Sequence, residues 1–250
     1  MTDWATDPMR AWLAALEARH LADLTFREAV RSLRALSSAY VERRGRLHEG
    51  SALSGHGKRA AFALFYGPLH FLLLRHIVGA LPGATDVAMP LVDLGCGTGA
   101  SSAAWAAASG RVSEIVAIDR HPWAAAEARR TYAQFGVKAR VRVEDIARVR
   151  LPGRATVLAA FTLNELNATD RATVLAYLTR HARRGARVLI VEPLAGPAAP
   201  WWETWREGFE PLGGRAEEWR VPIERPPLIE KLDRAAGLDH RVLTGRSLWV

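Results

Sequence analysis

From residue 91 onward the chain alternates short apolar runs with longer amphipathic stretches. Residues 91–94, 114–118, 139–143, 156–161 and 187–191 read as strands. The stretches between them have helical spacing and end on punctuating residues. One helix starts at Ser101 and stops near Gly110, a second opens at Pro122 and stops at Gly136, and a third runs from a Thr169-Asp170 cap to Gly185. Strands separated by helices predict a parallel sheet with helices on both faces. Before residue 91 the period is helical throughout. Asp7-Pro8 opens a first helix carrying Leu13, Leu16, Leu21 and Leu24. Thr25 with Glu28 forms a capping box for a second, whose apolar face is Phe26, Val30, Leu33, Leu36 and Tyr40. Gly45 ends it after Arg43 and Arg44, cations that with Arg46 suit a helix C-terminus. Residues 45–57 read as a loop. Residues 57–82 read as two helical pieces meeting at Gly67-Pro68, because proline lacks a backbone donor and strikes the preceding turn. If the helix continues through that point, Tyr66 and His70 share a face. After Gly196 the rhythm breaks. Residues 197–227, rich in proline and glycine and carrying Trp201, Trp202, Trp205 and Trp219, read as an insertion before a last helix over 227–236. Residues 240–244 and 247–250, separated by Gly245, read as a terminal hairpin. The chain thus divides into a helical region, 1–85, and an α/β domain, 86–250.

The candidate chemistry lies at the strand C-termini, where open parallel sheets bind ligands. LVDLGCGTGA, residues 91–100, runs from a strand through glycines into a helix, which brings bare backbone and a helix N-terminus close to a ligand. Dinucleotide loops read GxGxxG; this one reads GxGxG behind Asp93. Asp119, at the tip of the next strand, suits the two hydroxyls of a ribose. Loop, strand and acid in this order resemble motif I and its acidic follower in class I S-adenosylmethionine (SAM) methyltransferases. The resemblance covers residues 91–250 and implies a Rossmann-like sheet of seven strands, mostly parallel, with an antiparallel last strand. It also implies a SAM site. Gly95, Cys96, Gly97 and Gly99 would admit the methionine half, and Asp93 would help hold its ammonium. Asp145, with Glu144 as the neighbouring alternative, matches the position that meets the adenine amino group. Ile146 and Phe161 would complete the site, and Arg120 and His121 either edge the adenine or are surface residues.

The fourth strand ends in FTLNEL. The Asn- or Asp-Pro-Pro-aromatic motif of exocyclic-amine methylases is missing there, and Cys96 lies inside the glycine loop, so cytosine C5 chemistry is disfavoured as well. Asn164 as orienting group and Glu165 as base remain, with Glu192 at the next strand tip. The alternative for Glu165 is to anchor the following helix. Tyr66 and His70 either line the acceptor pocket or belong to the core. FTLNEL, VLIVEPLAG and KRAAFALFYGPLHF are similar to the methyltransferase-like proteins of mitochondrial small-ribosomal-subunit assembly and their bacterial relatives. Those mitochondrial proteins carry clustered cysteines for an iron–sulfur cluster, and this chain does not.

Charge bears on the acceptor. The 250 residues carry a net charge of +8, with the excess mainly in residues 91–195. A basic core fits ribosomal RNA or the small ribosomal subunit as partner. Only Lys58, Lys138 and Lys231 are lysines, so arginine richness also fits a compositional bias. Cys96, the sole cysteine, rules out a disulfide or a cysteine-based metal cluster within one chain, and no metal site is expected. The N-terminus lacks a signal pattern, and the apolar run 60–74 is broken by Gly67-Pro68 and too short to span a bilayer, so a cytoplasmic protein without a membrane partner is expected. Three functions follow: a methyltransferase for RNA or a small-subunit component, a small-molecule methyltransferase with a helical lid and a tryptophan-lined wall, or a non-catalytic SAM-binding assembly factor. An arginine surface beside the fourth strand tip would mark the first, a closed apolar pocket the second, and a blocked path to the methyl group the third.

Overall fold

A computed structural model describes residues 8–42, 53–153, 155–194 and 199–250; the expectations at Asp7, Arg43, Arg44, Gly45, Arg46 and Gly196, and for the Tyr40 side chain, lie outside the described residues. The strands are β1 Leu91–Leu94, β2 Ile115–Asp119, β3 Ala139–Val143, β4 Thr156–Ala160, β5 Val188–Glu192, β6 Arg215–Pro222 and β7 Val242–Trp249. They form one sheet in the order β3-β2-β1-β4-β5-β7-β6, parallel except for β7, which runs antiparallel to both β5 and β6. Sequence sets position in the sheet. β4 and β5, apolar but for Thr156 and Glu192, are buried along their length at the centre, whereas the Arg-alternating β3 forms an edge. Val92 sits beside Val116 on one side and Val157 on the other, which brings the C-terminal ends of β1, β2 and β4 level.

The helices are α1 Pro8–His20, α2 Phe26–Glu42, α3 His56–Ala61, α4 Gly67–Ala80, α5 Ala100–Ser109, α6 Pro122–Gln134, α7 Ala168–Ala182, α8 Trp202–Phe209 and α9 Pro227–Ala236. The capping box forms: Glu28 accepts from Thr25 N at 2.8 Å, and Thr25 Oγ1 accepts from Glu28 N at 3.3 Å. Helix α7 starts earlier than the Thr169-Asp170 reading, because Asn167 Oδ1 accepts from Asp170 N at 2.9 Å and takes the cap.

Three expectations are corrected. The break at Gly67-Pro68 is not a break. A π turn, Phe62–Tyr66, joins α3 to α4, with Gly67 N donating to Phe62 O. The wider turn gives room at the Leu64 carbonyl, four residues before Pro68, where the proline ring would otherwise strike. The resulting helix, 56–80, is long and apolar enough to cross a membrane, yet 72% of its apolar window is buried inside the protein. The stretch 197–227 is not an insertion only, since it supplies α8 and β6, a regular member of the sheet. The terminal hairpin is instead one continuous strand, β7, with Gly245 inside it opposite Trp219. A Cβ at Gly245 would stand 3.2 Å from Leu73, so the glycine admits α4 against the sheet.

Two cores hold the layers together. On one face Met9, Leu16, Leu33, Leu36, Leu64 and Phe65 form one cluster with Leu91 and Leu158, so the N-terminal helices share their core with the sheet. On the other, Val157 and Ile190 pack with Leu178, Trp202 and Trp205. These two tryptophans are core residues rather than a substrate wall.

Candidate active site

The glycine loop is held from two strands. Gly95 N and Cys96 N both donate to Ile118 O, at 2.8 and 2.9 Å. Asp119, one residue on, accepts from Gly97 N at 2.9 Å and from His121 N at 2.7 Å. Thr162 Oγ1 donates to Gly95 O at 3.0 Å, tying the β4 tip to the loop. Gly95 has φ +72°, and a Cβ there would lie 2.2 Å from Thr162, so both its backbone angle and its neighbour require glycine.

A cavity of about 790 Å³ opens over these strand ends. Most residues expected at the site line it: Gly95, Cys96, Gly97, Asp119, Arg120, His121, Glu144, Asp145, Ile146, Phe161, Asn164, Glu165, Glu192, Tyr66 and His70. Asp93 and Gly99 do not. Asp93 is 1% exposed and turned under the loop, where Ser102 Oγ donates to it at 2.5 Å. Burial lifts its carboxyl to about 7, with the Ser102 bond opposing. The expected Asp93 contact with the SAM ammonium is therefore replaced by a bond inside the fold. At Gly99 a Cβ would meet the Tyr132 ring at 2.8 Å, so this glycine serves packing.

The remaining acids differ in surroundings. Burial raises Asp119, against the pull of the His121 and Gly97 amides. Glu165, which lines the cavity, is lifted to about 7, first by burial and then by the nearby charge of Asp119. Glu192, wholly buried, accepts from Leu163 N at 2.7 Å and from Asn164 Nδ2 at 2.6 Å. Its carboxyl is pushed up to about 8, chiefly by burial. Glu192 thus fixes the turn after β4 and aims Asn164, whose buried Oδ1 has no partner among the described residues.

The π turn and α4 wall the other half. Gly97 faces the Phe62 ring, 3.7 Å from where a Cβ would stand. His70 stacks on Phe161 with centroids 3.9 Å apart and 15° between planes. Burial holds His70 down to about 3, so it presents a neutral ring. Phe161 has φ 59°, a left-handed conformation with a backbone penalty that is uncommon for a bulky residue and concentrates at functional sites. Tyr66 lies 6.3 Å from His70, so the two share a face as the continuing helix requires.

Residues 91–185 match the family model described as a methyltransferase domain. Over those residues the chain is similar to methyltransferase domains, and its seven-stranded sheet with one antiparallel strand has the class I methyltransferase fold. A SAM-dependent methyltransferase from Leishmania major superposes with a TM-score of 0.53, at 12% identity, over 95% of this chain and 89% of its own. An O-methyltransferase family protein from Burkholderia thailandensis gives 0.53 at 16% identity, over 94% and 75%. A mitomycin 7-O-methyltransferase gives 0.50 at 16% identity, over 96% and 72%. At these identities the likeness is one of fold. No curated protein sequence matches the chain.

The lining residues fit SAM, the cofactor that the methyltransferase-domain match points to. SAM presents hydrogen-bond donors along its length: an ammonium, a ribose diol and an adenine amino group. The cavity presents acceptors, namely the carboxylates of Asp119, Glu144 and Asp145. Glu144 also binds Arg142 at 2.7 Å, and Asp145 Oδ1 caps the turn at Ala147 N at 2.9 Å. Sequence reasoning missed Phe62, Leu69, Leu73, Thr162 and His240, all of which line the cavity. Phe62 was signalled by its distance of four from Tyr66. His240 had no motif to reveal it.

Proposed function

We propose that the methyltransferase acts on a small molecule enclosed between α4, the π turn and β7. One observation carries this reading. The lining of the cavity is not confined to the cofactor residues but includes the apolar Leu69, Leu73, Val242 and Leu243, together with Tyr66 and His70. A volume of about 790 Å³ lies within the range of roughly 300–1,000 Å³ typical of small-ligand sites, and its two groups of lining residues suit a cofactor and an acceptor side by side.

SAM supplies a methyl group on a sulfonium, and the chain's own residues provide position. Asp119 holds the ribose, Glu144 and Asp145 the adenine edge, and Glu192 fixes Asn164 at the β4 tip. The aromatic walls exclude water and orient the acceptor for in-line displacement.

The net charge of +8 favours a second reading, with ribosomal RNA or a small-subunit component as acceptor. Against it, the arginine beside the β4 tip is engaged in structure: Arg171 donates to Leu163 O at 3.0 Å and to Leu166 O, and lies 5.1 Å over Trp201. The test is to supply methyl-labelled SAM with the small-molecule fraction of a cell extract or with its total RNA. Label in the small-molecule fraction is expected; label confined to RNA would replace this reading with the second, and label in neither would favour a non-catalytic assembly role.

A further inference from the structure

The acceptor half of the cavity contains a histidine–carboxylate pair that the cofactor site does not use. Asp233, on α9, is wholly buried. It accepts from His240 Nδ1 at 2.7 Å, from His240 N at 2.9 Å and from Arg225 Nη1. His240 lies between α9 and β7, lines the cavity, and sets its ring edge-on to Phe65 with centroids 5.1 Å apart.

A buried carboxylate bonded to Nδ1 fixes the tautomer. The proton sits on Nδ1, and the lone pair stays on Nε2 at the far edge of the ring. Among the described residues nothing hydrogen-bonds Nε2. The other ionisable groups around the pair are Arg225, ion-paired with Asp233, the Tyr66 hydroxyl, bonded to Ser37, and the Asp239–Arg241 ion pair beside the turn. The His240 side chain is 29% exposed, which gives a proton a way out to solvent.

Building on the small-molecule reading, we propose that His240 is the general base for an acceptor hydroxyl on a planar, conjugated ring, with Asp233 as its positioning residue. The flat walls of Tyr66, His70 and Phe161 suit such a ring. A phenol-like hydroxyl titrates near 10, so at neutral pH its proton must leave as the new bond forms. The hydroxyl proton passes to Nε2. The electron pair freed on oxygen forms the bond to the methyl carbon, and the pair of the broken carbon–sulfur bond stays on sulfur. The imidazolium is stabilised by Asp233 and returns its proton to solvent.

Two measurements on the full-length protein test the proposal. Nitrogen-15 NMR of labelled histidine should show His240 as the Nδ1-protonated tautomer, and Asp233→Asn should shift that signal. Labelled methyl recovered in the small-molecule fraction should reside on a ring-bound oxygen. Its rate at saturation should fall at least tenfold in His240→Gln, with SAM affinity unchanged within about twofold, a loss typical of a removed base. If Asp233→Asn fails to fold, His240→Gln, which leaves the Asp233–Arg225 pair in place, carries the test. An Nε2-protonated His240, an undiminished His240→Gln rate, or label on nitrogen or carbon would overturn the proposal while leaving a small-molecule methyltransferase standing. Label found only in RNA would remove the parent reading and this one with it.

Discussion

Asp119 has two tasks that a single carboxylate can perform together. One lone pair on each oxygen holds the loop at Gly97 N and His121 N, and the others face the cavity. A charge-assisted hydrogen bond is worth about 1.5–3 kcal/mol. Asp119→Ala should therefore weaken SAM binding by roughly one to two orders of magnitude, read by calorimetry. Asp119→Asn, which retains an acceptor for Gly97 N, should lose less; equal affinity of wild type and Asp119→Ala would remove Asp119 from the cofactor site. This residue was legible in the sequence because it ends an apolar run beside a glycine loop. Asp93 was legible only as an acid next to the loop. Its direction was not, since alternation along a four-residue strand with both faces buried does not tell the ligand side from the core side.

At the scale of elements, most strands and helices were written in the apolar period and its punctuation. β6 was not. Its sequence, RAEEWRVP, is half charged and forms an exposed edge, so tryptophan and valine are the only large apolar marks of a strand. The π turn was invisible for a different reason. Pro68 reads locally as a breaker, and only packing of 56–80 against the sheet holds the helix together across it. That packing gives the helix a direct hold on the cofactor loop. A Cβ at Gly67 would stand 3.0 Å from Thr98 Oγ1, in the loop itself. Gly67→Ala should lift the helix from the loop and destabilise the fold by about 1–3 kcal/mol, the usual range for overpacking. SAM affinity should fall along with the melting temperature. A variant that melts lower yet binds SAM as wild type does would show that the helix and the loop are independent.

Three carboxyls in or beneath the site are raised chiefly by burial, Asp93 and Glu165 to about 7 and Glu192 to about 8. Unfolded, they titrate near 4, so over the interval the folded state binds more protons than the unfolded one. Their contribution is complete below the unfolded value and is lost as pH rises through 7 to 8. His20 and His70 oppose this at lower pH. Burial holds them at about 4 and about 3, so the unfolded chain binds more protons below the usual histidine value of about 6.5. The two effects offset one another between about pH 4.5 and 6.5, and above that only the acids act. Stability should therefore fall from about pH 6.5 to 8.5, by up to about 1.4 kcal/mol per pH unit for each excess proton. Glu192 should dominate the upper part of that range. In Glu192→Gln the amide oxygen still accepts from Leu163 N, and Asn164 can turn its unpartnered Oδ1 toward the new NH₂ group. The variant should fold, melt above wild type at pH 8.5, and show a shallower decline across the window in denaturant titrations at each pH. Parallel pH profiles for the two proteins would mean that Glu192 is already ionised in the folded state, and that the Leu163 and Asn164 donors, rather than a proton, satisfy it.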